Sequence, residues 1–267
     1  MNKNYFGKIK IKDHKNDRFL NRIMLTIMLL FIFSFFKLNL DFYRFSRGMS
    51  RLGSILADFG RPDLTVFKFV LIAVWESFEI AFIATLVGMI FSLPLAFLAA
   101  ANTTPYKPLA MGIKAYLSFI RAVPSLIWAV IFVSSIGLGP FSGILGLSVH
   151  TVSYLTKAYL QSIEDLGDES ILAIKSTGAS WLNIMKAAVV PNIKRVVTGW
   201  TALRFESNMA QSSVIGVVGA GGIGYIVSKF IKAYDFNAAG TALLTLITIS
   251  VFVEVSGALL KNYTERG

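Results

Sequence analysis

The side chains best able to do chemistry in this sequence are a few polar residues within long apolar runs. One run carries Arg204, Glu206 and Asn208, and an earlier run carries His150 and Lys157. If these runs cross a membrane, each ionisable group costs about 2.5 to 3.5 kcal/mol, so each needs a partner or an aqueous face. Two interpretations stay open. Either Arg204 pairs with Glu206 of a neighbouring chain, or these side chains form the polar lining of a path through the protein.

The spacing of the earlier pair allows it to join such a path. His150 and Lys157 are seven residues apart, a separation that returns to the same face of a helix. Both could therefore face the path that Arg204 faces. For His150 the alternative is a buried histidine whose hydrogen bonds are satisfied inside the chain.

Most catalytic chemistry is excluded by what the sequence lacks. It has no cysteine, which excludes disulfides and thiolate catalysis, and its 2 histidines do not suggest a metal centre. It contains neither His-Glu-x-x-His nor Gly-x-Ser-x-Gly, and no Gly-x-x-x-x-Gly-Lys-Ser/Thr that would bind ATP. The alternative functions are a membrane-embedded enzyme acting on a lipid or phosphoester, and a secondary transporter, although the chain shows no inverted repeat.

A glycine-rich segment matches the letters Gly-x-Gly-x-x-Gly through Gly219, Gly221 and Gly224, with Gly222 between them. That dinucleotide-binding pattern needs a preceding strand and a following helix, whereas here it lies between two apolar runs of membrane length. We therefore reject the nucleotide interpretation. Small residues let helices approach closely or allow non-helical backbone beside a cavity, so we predict that these glycines form part of a gate.

Membrane-spanning helices must position these residues. Hydrophobic residues make up 55% of the 267 residues and charged residues only 15%, against about 25% in soluble domains. Because a span needs about 20 apolar residues, we predict an all-α integral membrane protein with about six transmembrane helices. The basic residues are scattered between apolar runs and concentrated near the N-terminus, which favours a membrane face over nucleic acid as their partner.

The predicted spans organise the chain into three parts. The spans cover residues 23–36, 69–100, 125–136, 141–160, 196–218 and 238–260. Residues 1–22 form a basic cytoplasmic segment, residues 23–68 the first span and an external amphipathic segment, and residues 69–261 the main transmembrane domain. Both chain termini and a polar loop at residues 162–195 are then cytoplasmic.

The polar loop at residues 162–195 is predicted to have structure of its own. Its pattern indicates two short helices joined at Gly178, which supplies the positive φ that ends the first helix. Ser180 is placed to cap the second helix. Pro191 is placed to end that helix before the next span.

This loop resembles the cytoplasmic coupling loop of ABC importer permeases. Gly178 and Pro191 stand at the separation that the family pattern requires and Ala173 matches its first alanine, whereas Leu172 replaces its glutamate. Residues 203–224 resemble the signature of permease subunits of phosphonate-type ABC importers. Three shorter phrases resemble the same family in the same order: Arg121-Ala122-Val123-Pro124, Gly137-Leu138-Gly139-Pro140 and Thr177-Gly178-Ala179-Ser180. The resemblance covers about residues 70–260.

The resemblance implies a type I ABC importer fold and the function of a transmembrane permease subunit, not an enzyme. Its cargo would be a phosphonate or a related phosphorus oxyanion, such as phosphite or a phosphate ester. The implied partners are separate ABC ATPase subunits that bind ATP and Mg²⁺, an extracytoplasmic solute-binding protein, and a second copy of the chain in the bacterial inner membrane. No cofactor, metal or nucleic acid is expected on this chain.

Two groups of residues are therefore predicted to be functional. The ATPase-coupling loop includes Ala173, Thr177, Gly178, Ala179, Ser180 and Pro191. The translocation path or gate includes Arg204, Glu206, Asn208, Lys157, His150, Gly219, Gly221, Gly222 and Gly224. At two positions the chain departs from the family pattern, since Ala210 replaces a basic residue and Gln161 an acidic one.

Overall fold

The computed structural model describes residues 14–38, 41–167 and 169–266, and it divides into one unit up to Ser54 and another from Ile55. The described residues form helices joined by short loops. Their bounds are α1 His14–Lys37, α2 Phe42–Phe59, a 3₁₀ turn Leu64–Val66, α3 Phe67–Ala99, α4 Lys107–Ala122, α5 Ser125–Ile136, α6 Pro140–Glu164, α7 Glu169–Lys175, α8 Trp181–Ile184, a π-helical turn Met185–Val189, α9 Val190–Gly216, α10 Gly222–Lys232 and α11 Phe236–Arg266.

The first unit contains α1 and most of α2. Between Arg18 and Lys37, α1 is long and apolar enough to cross a membrane, in agreement with the predicted first span. α2 is amphipathic, with three arginines on one face and large exposed apolar side chains on the opposite face. Such a helix suits a membrane surface, which stays a prediction for this segment. Of the predicted basic N-terminal segment, residues 1–13 lie outside the described residues.

The second unit is a helical bundle in which α3 packs against α6 and α9, with α5 on α6. Small residues permit these close approaches. A Cβ at Gly88 of α3 would overlap the side chain of Thr151 in α6, and a Cβ at Gly146 of α6 would lie 2.7 Å from the Cα of Ala129 in α5. The helices that carry the polar candidates are therefore in direct contact.

The third predicted span, residues 125–136, coincides with α5, but this helix does not reach across a membrane alone. α5 has 12 residues, about 18 Å of helix, which is too short to cross the hydrocarbon core alone. It follows α4, a helix that we did not predict, and the two are bent by 84°. Pro124 explains the bend, because it lacks an N–H group and keeps Val123 extended, with φ −93° and ψ 119°.

The other predicted spans correspond to single helices. In the described part of the chain three helices are long and apolar enough to cross a membrane, within α1, α3 and α11, and the bent pair α4–α5 makes a fourth candidate. α6 and α9 have 25 and 27 residues, which is enough length, but their polar side chains keep them below that degree of apolarity. Those polar side chains lie partly inside the bundle, where lipid does not reach them.

Candidate functional site

A layer of buried polar side chains joins the three central helices. Arg204 and Asn208 of α9 are 2% and 0% exposed, and they meet Thr151 of α6, which is also fully buried. The Arg204 Nε donates to Thr151 Oγ1 at 3.2 Å, and the Asn208 amide contacts the same hydroxyl at 3.1 Å. The Asn208 Nδ2 also donates to Thr85 Oγ1 of α3 at 2.9 Å. We call Thr85, Thr151, Arg204 and Asn208 the polar layer.

The guanidinium of Arg204 has neutral partners. Its Nη2 lies 3.0 Å from His150 Nδ1, and its Cζ lies 5.0 Å from the centre of the Tyr154 ring. Among the described residues, no carboxylate forms an ion pair with it. A buried cation whose charge is balanced by no described carboxylate favours an anion at its side. His150 has a hydrogen-bond partner inside the chain, as one interpretation of this histidine predicts. Because that partner is Arg204, a place beside the path stays a prediction for both residues.

Glu206 lies on another side of α9 from Arg204. Two residues turn a helix by about 200°, so Arg204 faces α6 while Glu206 approaches α11, where a Cβ built on Gly257 would lie 3.3 Å from its carboxylate. The two side chains do not pair within the chain.

Lys157 lines a cavity of about 440 Å³ between α4, α6 and α9. The lining residues are Arg121, Tyr154, Lys157, Ala158, Gln161, Ser162, Asp165, Val196 and Trp200. This cavity occupies the half of the bundle in which α6 ends and α9 begins, so it lies toward α7 and α8. Lys157 is exposed and does not reach the polar layer, although it follows His150 on the same helix.

The glycine-rich segment forms the turn between α9 and α10 at the other end of α9. Gly219, Gly221 and Gly222 have φ values of +96°, +83° and +71°, which only glycine adopts without strain. Two hydrogen bonds tie the turn to other parts of the fold, from Ile223 N to Ser77 Oγ at 2.8 Å and from Gly139 N to Gly219 O at 2.9 Å. The predicted non-helical backbone is therefore confirmed, while its role as a gate stays a prediction.

The same turn lies beside a second cavity, of about 350 Å³, whose walls include Glu76, Leu138, Gly139 and Gly221. Gly224 serves the packing of α10 on α9, since a Cβ there would overlap the carbonyl of Ser213. The two cavities lie toward opposite ends of α6 and α9. The polar layer lies between them along both helices.

The loop at residues 162–195 contains the two predicted short helices, α7 and α8, joined at Gly178 with φ +75°. Two details differ from the prediction. Ser180 occupies the N-cap of α8 but its side chain makes no capping hydrogen bond, and Pro191 does not end a helix. Pro191 lies in the first turn of α9, where the N–H group that proline lacks would have no partner within the helix. The chain therefore has no break at Pro191, and it passes from α8 through the π-helical turn into α9.

The tip of this loop is exposed while its base is anchored. Ala173, Thr177, Gly178 and Ser180 are exposed, Ala179 is half-buried and Pro191 is exposed. Two large apolar side chains of the loop, Leu172 and Leu182, are 57% and 60% exposed. The base packs through Ile171, Ile184, Met185, Ala188 and Val189 onto a buried apolar cluster of α3, α6 and α9.

Hydrogen bonds fix the base of the loop as well. Trp181 Nε1 donates to the carbonyl of Thr103 at 2.7 Å, across the α3–α4 turn. Glu164, where α6 ends, accepts from Ala101 N at 2.8 Å and pairs with Lys114 of α4 at 2.9 Å. A force on the loop would therefore act on α3, α4, α6 and α9 together.

The sequence did not identify several residues of the site. Thr85 is 123 positions before Asn208, and nothing in its neighbourhood distinguishes it from a threonine that bonds its own helix. Thr151 follows His150 directly and could have been found as the next polar residue on α6. Tyr154 was not singled out in the sequence, and Arg121 appeared only in a phrase that resembles the family. Their common cavity forms only when three helices pack together.

Comparison with known proteins shows which family shares this sequence. The family model for a binding-protein-dependent transport system inner membrane component matches residues 92–266. The phosphate-import permease protein PhnE of Mycolicibacterium smegmatis is 32% identical over 179 residues, which cover 67% of this chain and 34% of that protein. The chain thus spans about a third of the length of that relative. The phosphite transport system permease protein PtxC of Stutzerimonas stutzeri is 28% identical over 226 residues, 84% of this chain and 82% of that protein.

A solved structure shows the same fold. The MetNI methionine ABC transporter, in an inward-facing conformation, matches with a TM-score of 0.65 and 19% identity, covering 76% of this chain and 99% of that chain. The all-helical architecture is thus that of a type I ABC importer permease, as the sequence predicts. Since the matched region is more than half of the sequence, the chain belongs to the family of binding-protein-dependent transport system inner membrane components.

Proposed function

We propose that this chain is the transmembrane permease subunit of an ATP-driven importer for a phosphonate or a related phosphorus oxyanion. The observation that carries the proposal is Arg204, a buried guanidinium with neutral partners, placed between two cavities of a type I importer fold. Family membership and the printed names of two relatives support it, since one is a phosphate-import permease and the other a phosphite transport permease.

The loop around α7 and α8 is the proposed contact with separate ATPase subunits. Leu172 and Leu182 expose large apolar surfaces on the two short helices of the loop, which suits contact with another protein. Its base is anchored to α3, α4, α6 and α9, so movement of an ATPase would tilt these helices as one body. This assignment puts the loop and both termini in the cytoplasm.

The cargo assignment follows from the polar layer. Arginine recognises phosphorus oxyanions through paired N–H donors, and a cation with no carboxylate partner is available to such a ligand. Thr151 and His150 hold two edges of the guanidinium and so orient it. The solute-binding protein would select the anion outside, and the permease would screen its charge during passage.

Two cavities at opposite ends of the polar layer suit alternating access. In this proposal the cavity beside Gly221 and Glu76 opens toward the solute-binding protein, and the cavity beside Lys157 opens toward the cytoplasm. The glycine turn supplies the gate on the outer side because its backbone is non-helical and fixed by only a few hydrogen bonds. A second copy of the chain would complete the path.

Purification from native membranes tests the coupling. We expect an ATPase to co-purify with the wild-type chain, and the double variant Leu172→Arg, Leu182→Arg to lose it because two charges replace the apolar contact. Tyr234→Arg is the matched control, since this residue is 81% exposed in the α10–α11 turn, away from the loop. Retention of the ATPase by the double variant would refute the docking surface. A chain that transports without any ATPase would instead be a secondary transporter.

A further inference from the structure

We infer that the cavity between α4, α6 and α9 is a second oxyanion site, which holds the cargo after it has passed Arg204. The inference rests on the proposed function and extends it, since it adds an exit-side binding site with Arg121, Lys157 and Trp200 in its wall. The ligand class is a small tetrahedral phosphorus oxyanion. It would be bound in hydrated form.

Two cations line this cavity. Arg121 at the end of α4 and Lys157 in α6 both project into it from exposed positions. The side-chain amide of Gln161 adds a hydrogen-bond donor, whereas the Ser162 hydroxyl donates to Ala158 O at 2.9 Å. Among the described residues neither cation forms an ion pair with a carboxylate, although Asp165 also lines the cavity. The walls therefore carry two positive charges against one negative charge, which favours an anion.

Tyr154 separates this site from the polar layer. Its ring lines the cavity, while the guanidinium of Arg204, which does not line the cavity, lies 5.0 Å from the ring centre. Trp200 stands edge-on to the same ring at 6.4 Å, so two aromatic side chains form the inner wall. An anion that leaves Arg204 needs only to pass Tyr154 to meet Arg121 and Lys157.

The size of the cavity fits a partly hydrated anion. Its volume is about 440 Å³, whereas one water in the liquid takes about 30 Å³, so a tetrahedral oxyanion and several waters fit together. Contacts through water and from flexible side chains hold an ion more loosely than direct contacts do. Loose binding suits a site from which the cargo must leave into the cytoplasm.

Trp200 gives a direct readout of binding, because its indole lines the cavity. The purified permease–ATPase complex in lipid nanodiscs is titrated with inorganic phosphate, with phosphite and with methylphosphonate, at constant ionic strength made up with sodium chloride. We expect a saturable change in tryptophan fluorescence that is absent from Trp200→Phe. Arg121→Gln and Lys157→Gln should each weaken it by about tenfold, because each removes one of the two positive charges that attract the anion. Arg61→Gln, which removes an exposed cation outside the cavity, should bind as the wild type does.

The outcomes separate this site from the proposed function. Equal titrations of the wild type, Arg121→Gln and Lys157→Gln would overturn the site, as would a change that does not saturate. If those variants fail to assemble with the ATPase, Gln161→Leu takes their place, with the same expectation of weaker binding. Uptake is measured after the same purified complex has been reconstituted into proteoliposomes. Uptake without saturable binding overturns the inference and leaves the proposed function standing, while binding without uptake refutes the proposed function.

Discussion

Replacing Thr151 by valine should destabilise the protein far more than the same change at Thr156. Both threonines are fully buried in α6. The hydroxyl of Thr151 contacts Arg204 at 3.2 Å and Asn208 at 3.1 and 3.2 Å, on another helix. The hydroxyl of Thr156 donates at 2.7 Å to Val152 O in its own helix, a bond that adds little to helix stability.

The magnitude follows from the number of bonds between helices. Such bonds in membrane proteins contribute about 0.6 kcal/mol on average and about 1.7 kcal/mol at most. Three lost contacts then cost about 2 to 5 kcal/mol, since Thr151→Val also leaves two buried donors without their acceptor. At roughly 2 to 4 °C per kcal/mol, a loss of about 2 kcal/mol, the lower end of this range, already lowers the melting temperature by about 4 to 8 °C. Thr156→Val should shift it by only a degree or two, about one average bond.

Thermal unfolding of both variants in the same detergent, followed by tryptophan fluorescence and by loss of monodisperse protein, measures this difference. Uptake by the reconstituted transporter should fall with Thr151→Val and persist with Thr156→Val. Equal melting temperatures of the two variants would refute the idea that Thr151 holds the polar layer together. A normal rate of uptake by Thr151→Val would refute the idea that this threonine orients Arg204.

Three further predictions concern two glycines and one pair of charges. Gly178→Val should uncouple ATP hydrolysis from uptake, because φ is +75° there and strain costs about 1 to 3 kcal/mol, while Gly178→Asn should keep coupling; equal ATPase stimulation in both would contradict this. Gly88→Ala should lower the melting temperature, because its Cβ would overlap Thr151 of the polar layer. Gly112→Ala should not, because no atom lies within 4 Å of its Cβ, and equal melting temperatures of the two variants would contradict this. Exchange of the charges of Arg204 and Glu206 should restore neither assembly nor uptake, since the two side chains face different helices; recovered uptake would show that they act as a pair.

Local chemistry made part of this structure predictable from the sequence. The positive φ at Gly178 and the non-helical turn at Gly219 to Gly222 follow from the backbone freedom of glycine. This freedom is a property of the residue itself and does not depend on distant contacts. The apolar runs predicted α1, α3 and α11 because length and composition alone make a span. The cost of its charge in an apolar run predicted that Arg204 needs a partner or an aqueous face, and the structure gives it hydrogen-bond partners on α6.

The rest depends on contacts between distant residues. The helix α4 was missed because its apolar face is interrupted by Lys114, whose partner Glu164 lies 50 positions later. Pro191 was assigned to the wrong helix, because a proline that ends one helix has the same local signature as one that begins the next. The bond from Asn208 to Thr85 and the wall that Arg121 shares with Trp200 exist only once three helices have packed.

ATP-dependent uptake of radiolabelled phosphite by proteoliposomes, containing this chain with its ATPase and supplied with the solute-binding protein, tests the central claim most directly. The account predicts accumulation with the wild-type chain that requires ATP. With Arg204→Gln it predicts retained assembly, retained stimulation of ATP hydrolysis by the loaded binding protein, and lost accumulation, because the coupling loop is intact while the buried cation is gone. Accumulation at the wild-type rate by Arg204→Gln, or accumulation without ATP, would contradict it.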